Sequence, residues 1–115
     1  MDTLSMFVQH HSKSIPQKIE EGKGISIQWL IDEKVGAPNF ALRRFTLEKD
    51  GYTPYHIHDW EHEVFVLSGK GSLVDEKGTE HSLQEGDVAF VEPSLQHQFK
   101  NVGQEPFIFL CIVPL

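Results

Sequence analysis

The chain is poor in several features, and each shortage excludes a class of protein. Its longest clean apolar run, Phe107 to Val113, falls far short of the roughly 20 residues that a membrane helix needs. The opening MDTLSMFVQHH carries neither a basic n-region nor a long apolar stretch, so a signal peptide is not expected. The expected compartment is cytoplasmic, with no membrane partner. A single cysteine, Cys111, excludes an internal disulfide and a multi-cysteine zinc site. Basic residues are scarce: 10 stand against 17 acidic ones, giving a net charge of -7. A phosphate backbone would be repelled, so nucleic acid is not an expected partner. No window of helical length shows a 3.6-residue apolar period, and Ser14 to Glu21 could hold one helical turn at most. Repeats and low-complexity stretches are lacking too. GxSxG, GxGxxG and P-loop strings are absent, which leaves nucleophile-elbow hydrolysis and nucleotide cradling without support.

What the chain does have is turns. Gly, Asn, Asp and Pro clusters punctuate it, among them Lys49-Asp50-Gly51, Ser68-Gly69-Lys70-Gly71, Glu85-Gly86-Asp87 and Asn101-Val102-Gly103. Between them lie short β-branched and aromatic segments: Ile25–Ile31, Phe40–Leu47, Tyr55–His58, Glu63–Leu67, Gly71–Asp75, Thr79–Leu83, Val88–Glu92, His97–Asn101 and Pro106–Val113. At 115 residues this is one domain, 1-115, and hydrophobic residues at 39% are enough for a real core. Many short, evenly spaced strands mean an all-β sandwich or barrel, since a flat open sheet would leave long adhesive edges.

Histidine carries the chemistry. Three of the seven lie in Tyr55-His56-Ile57-His58-Asp59-Trp60-Glu61-His62. On an extended strand His56 and His58 point to the same side, about 7 Å apart. Asp59 to Glu61 can turn the chain, and His62 then opens the next strand on the face shared by Val64 and Val66. His97, on a later strand, is the candidate fourth member. Neutral imidazole is the commonest metal ligand and suits divalent first-row ions. His10 and His11 sit in a polar terminal stretch, and His81 belongs to an exposed hairpin. Arg43-Arg44 reads as a salt-bridged outer face or dimer edge, with an anion-binding role as the minority reading. Phe109 and Cys111 share parity on the last strand and line the pocket if that parity faces inward. Phe45, Phe90 and Phe99 read as core or pocket wall, and Trp60 as packing at the barrel mouth. Glu61, Glu63 and Gln98 could orient the imidazoles by accepting their ring N–H groups.

These residues resemble the cupin superfamily. Its first motif places a Gly before HxH, then an acidic ligand, then a Gly. Here Gly51 precedes His56-Ile57-His58, His62 stands where the family usually has Glu, and Gly69 follows. Glu63 is one residue late and has the opposite strand parity. The second motif is matched by Gly86, Pro93, His97 and Asn101, with the turn Gly missing. The strings HDWEHEVFVLSGKG, APNF, EPSLQH and FLCIVP look like the single-domain cupins whose metal is held by four histidines.

The resemblance implies a jelly-roll β-barrel with little or no helix. Its core spans about 38-113, with N-terminal strands in 1-35. It implies one divalent transition metal per chain, manganese or iron foremost, with zinc, nickel or copper possible. His56, His58, His62 and His97 would be the ligands. Trp60, Phe99, Phe109 and Cys111 are the candidate pocket residues. The implied function is a metal-dependent oxidoreductase of the dioxygenase type acting on a small organic molecule. A non-catalytic binding or sensing module and a metal-dependent isomerase or lyase are the alternatives, the last needing an acid/base residue that the sequence does not place. A homodimer is expected, with the Ile25 to Ile31 strand pairing across to a partner's sheet.

Overall fold

A computed structural model describes residues 6-115. Nine strands follow in order: β1 (Gln17–Ile19), β2 (Lys23–Ile31), β3 (Phe40–Tyr52), β4 (His62–Ser68), β5 (Lys70–Val74), β6 (Glu80–Gln84), β7 (Val88–Val91), β8 (Gln98–Asn101) and β9 (Phe107–Pro114). Two short 3-10 turns, His11–Lys13 and Glu33–Val35, are the helical content of the described residues. All pairings are antiparallel. The order β6-β5-β8-β3-β9-β4-β7, with β2 on the other edge of β3 and β1 outside β2, makes a nearly closed barrel.

β3 is the strand that joins the two halves. Over Phe40 to Leu47 it pairs with β9. Beyond the positive-φ residue Asp50 and Gly51 it continues to Tyr52, which pairs with Lys100 of β8. The strand expected over Phe40–Leu47 is therefore longer, because this kink carries it into the second half without ending it.

Alternation decides the core. On β9, Phe107, Phe109, Cys111 and Val113 are buried while the residues between them are not. They pack with Ile25, Ala41, Leu47, Val64, Val66, Leu83 and Phe99. Each Val, Leu, Ile or Phe among them contributes about 1.5–3 kcal/mol by leaving water. Two glycines make the packing possible. Gly69 turns β4 into β5 at φ 87, where a Cβ would strike the Pro106 carbonyl. A Cβ on Gly71 would enter the ring of Phe107, which is itself fully buried.

Two expected segments differ. Ser14 to Glu21 holds β1 rather than a helical turn, because Gln17, Lys18 and Ile19 pair with Ile27, Ser26 and Ile25. Tyr55 to His58 is not a strand but an isolated bridge, His56 to His97. Pro54 just before it has no N–H to offer a ladder. β1 also covers Ile25 to Ile27, so the edge of β2 expected to meet a partner is occupied there within the chain. Asn101 of the second motif is structural: its amide donates to the carbonyls of Leu47, Glu48 and Glu105.

Candidate metal centre

Backbone pairing sets the four histidines before any side chain acts. The N–H of His56 donates to the His97 carbonyl at 3.0 Å, and the N–H of His97 returns the bond at 2.9 Å. The Ser94 N–H donates to the His58 carbonyl at 2.6 Å. His62 is the first residue of β4, on the inward side with Val64 and Val66. The ring centroids stand 5.3 Å apart for His56–His58, 5.4 Å for His58–His62, 5.9 Å for His58–His97 and 4.7 Å for His62–His97. The rings are gathered but not closed: among the described residues no group of three or more His, Cys, Asp or Glu side chains is spaced to hold an ion.

All four line one cavity of about 230 Å³. Its other walls are mostly apolar and come from the N-terminal strands and the core: Ile19, Ile25, Ile27, Phe45, Phe99 and Phe109. Cys111, Thr53, Arg43 and Glu21 add the polar contributions. Trp60 lies outside this lining; its indole stacks on the His58 ring at 4.5 Å. Phe45, Phe109 and Phe99 stack in a row, 5.3 Å and then 4.7 Å between centroids.

The electrostatics favour the neutral form of three of the imidazoles, His58, His62 and His97. Burial, then the charges of His97, Arg43 and His58, push the His62 pKa down to about 3. Burial lowers His97 as well, opposed by its hydrogen bond to Leu95. Burial and the neighbouring His56, His97 and Arg43 lower His58. The His97 ring is oriented through Nδ1, 3.0 Å from the Leu95 carbonyl. A carbonyl can only accept, so Nδ1 carries the proton and Nε2 keeps its lone pair. Nδ1 of His62 is buried and has no hydrogen-bond partner among the described residues. None of the ring-orienting partners expected from sequence takes that role. Gln98 donates to the Thr53 carbonyl instead, and Glu63 lies exposed, lining an outer groove with Phe65 and Phe90. His81 is exposed and pairs with Asp75.

Two cavity residues escaped the sequence reading. Arg43 is not on a salt-bridged outer face: it points into the cavity, where its Nη2 donates to Cys111 Sγ at 3.0 Å. Parity held the clue, since Arg43 alternates with the inward Ala41, Phe45 and Leu47. Only Arg44 lies on the other side, donating to Gln28 Oε1 at 2.9 Å. Glu21 stands in the turn between β1 and β2, and nothing in its local sequence marks it.

Comparison with known proteins agrees with this architecture. Residues 43-113 match the model of the cupin domain. The chain belongs to the cupin family. Among solved structures, this cupin is similar to the polyketide cyclase RemF from Streptomyces resistomycificus. They share 30% identity and a TM-score of 0.90, over 96% of this chain and 80% of that one. A predicted oxalate decarboxylase from Thermotoga maritima superimposes with a TM-score of 0.82 at 25% identity, covering 95% and 99%. By sequence the cupin is 38% identical to the glucose-6-phosphate isomerase of Pyrococcus furiosus, over 72% of this chain and 50% of that enzyme. The chain thus spans about half the length of such isomerases.

Proposed function

We propose that this cupin is a metal-dependent enzyme acting on a small, largely apolar organic molecule through an oxygen function, with chemistry of the isomerase or lyase kind, cyclisation included. The observation that carries the reading is the meeting of four histidines with a cavity walled by isoleucine and phenylalanine. The donor set fits a divalent transition ion. Burial favours the neutral form of His58, His62 and His97, and the Nδ1 of His62 is a buried donor atom lacking a partner among the described residues. His56, His58, His62 and His97 would hold manganese or iron, or zinc, nickel or copper. Such an ion supplies Lewis acidity toward a substrate oxygen.

The chain's own residues would do the rest. Trp60 fixes the plane of the His58 ring, and the Leu95 carbonyl fixes the His97 tautomer. The apolar walls bind the carbon skeleton and exclude water. Glu21, the only carboxylate lining the cavity among the described residues, is solvent-exposed. It is our candidate for the acid/base role. Similarity to a polyketide cyclase across most of that protein's length supports an apolar substrate. A sugar phosphate fits the cavity poorly, because its hydroxyls and dianion would be buried against hydrocarbon with a single guanidinium nearby.

The test is turnover by protein loaded with each ion, across β-diketones and phenolic compounds, followed by mass spectrometry with an oxygen electrode. Products isomeric with the substrate or lighter by one water, without oxygen uptake and lost on chelation, are expected. Oxygen uptake with oxygenated products would assign the dioxygenase chemistry instead. Stoichiometric ligand binding without turnover by any loaded form would leave a non-catalytic binding module.

A further inference from the structure

We infer that Arg43 is the anion-recognising residue of the cavity, so that the molecule bound there is an organic anion presenting a carboxylate or a comparable enolate or phenolate oxygen. The inference rests on the reading of this cavity as a ligand site, but it does not require an ion to be bound there.

The environment of Arg43 is unusual for an arginine. The side chain is half-buried, and no carboxylate of the described residues lies within ion-pairing distance of it. Its guanidinium lies over the Phe45 ring at 5.0 Å and the Trp29 ring at 5.6 Å, both uncharged faces. Nη2 donates to the Cys111 thiol, a weak acceptor, and burial raises the pKa of that thiol, which keeps it protonated. Nε is buried with no hydrogen-bond partner among the described residues. Asp32 and Glu33 share the rim of a neighbouring surface groove with Arg43. Even so, no ion pair among the described residues involves Arg43.

A guanidinium held this way costs stability unless something completes it. Its donors form a fixed fork that matches a carboxylate, and the Trp29 and Phe45 rings lie within cation–π distance of it. It lines the same cavity as the four histidines. A planar ligand lying along the row Phe45, Phe109 and Phe99 would therefore present one end to the histidines and another to Arg43. On a chain of net charge -7, this is a local positive site, the feature an anion requires to enter.

The probe pair is benzoate and benzamide, which share shape and differ in charge. Binding is followed by tryptophan fluorescence, because Trp29 lies against the guanidinium, and by calorimetry, on chelator-stripped and on zinc-loaded protein. Stripped wild-type protein should bind benzoate about 10-fold or more tighter than benzamide, the range of a hydrogen bond to a charged group. Arg43→Gln should abolish the preference, and Arg43→Lys should keep a smaller part of it, with thermal melts confirming folded protein. Equal affinities in the wild type would overturn the inference without any variant being needed. A preference that survives in Arg43→Gln, or one that arises only in zinc-loaded protein, would overturn it too. A preference in stripped protein that shows no turnover in any loaded form would sustain the anion site while removing the enzymatic reading.

Discussion

Acid should unfold the metal-free protein early, and His62 should be a main cause. In the unfolded chain this imidazole takes up its proton near 6.5, whereas in the folded protein it resists until about pH 3. Between those values the unfolded state holds a proton that the folded state refuses, so acid favours unfolding. Above 6.5 the residue is neutral in both states and contributes nothing to the pH dependence. Below about 3 it is charged in both, and the loss is complete. The window spans about 3.5 pH units, and each unit is worth about 1.4 kcal/mol, so the full loss approaches about 5 kcal/mol. That equals the whole stability of a marginal domain, about 5–15 kcal/mol. The assay is urea unfolding of chelator-stripped wild type and His62→Gln at a series of pH values from about 8 to about 4. The glutamine cannot titrate, so the two stability curves should separate progressively below about pH 6.5, the variant losing less; titrating carboxylates cancel in the comparison. Parallel curves through that window would refute the argument, since a buried neutral His62 has no other way to titrate.

His62→Ala should weaken metal binding by about 10-fold or more while Glu63→Gln leaves it unchanged, as measured by competition with a chromogenic chelator; the reverse result would move the ligand to Glu63. His62→Glu should still bind metal but lose azide affinity, because the added carboxylate lowers the charge that attracts the anion. Gly71→Ala should cost about 1–3 kcal/mol in chemical denaturation, since the Phe107 ring it meets is fully buried and has nowhere to go. Glu21→Gln should cut kcat by about 100-fold with metal content unchanged, and an unaltered kcat would remove the acid/base role. Light scattering at micromolar concentration should give twice 13.1 kDa, with Trp29 and Ile31 at the part of β2 that β1 leaves uncovered; a single-chain mass would refute the dimer.

The barrel was legible because its strands alternate. Phe107, Phe109, Cys111 and Val113 announce one inward face by spacing alone, and Gly69 announces a turn. The four histidines were legible for a similar reason: their backbone positions follow from two short motifs whose residues lie close in sequence. What stayed hidden depends on contacts between distant segments. Glu21 reaches the cavity only because β1 folds across β2, and a three-residue strand leaves no periodic trace. Arg43 was misjudged although its parity was readable. Charge argued for the surface, but the stacking partner Trp29 and the acceptor Cys111 that hold it inside come from two other strands. Orientation of the rings was equally opaque, since a backbone carbonyl orients His97 and leaves no sequence mark.

The paired backbone bonds between His56 and His97 also bear on the order of folding. The two residues are roughly 40 apart in the chain, so their bridge closes a large loop and exists only when the intervening strands β4 to β7 are in place. Under the proposed four-histidine reading, an ion arriving at the unfolded chain would find the local triplet of His56, His58 and His62 but not the fourth partner. Loading should therefore be a late event, following formation of the barrel instead of nucleating it, and release of the ion should be slow wherever it has to wait for that bridge to open.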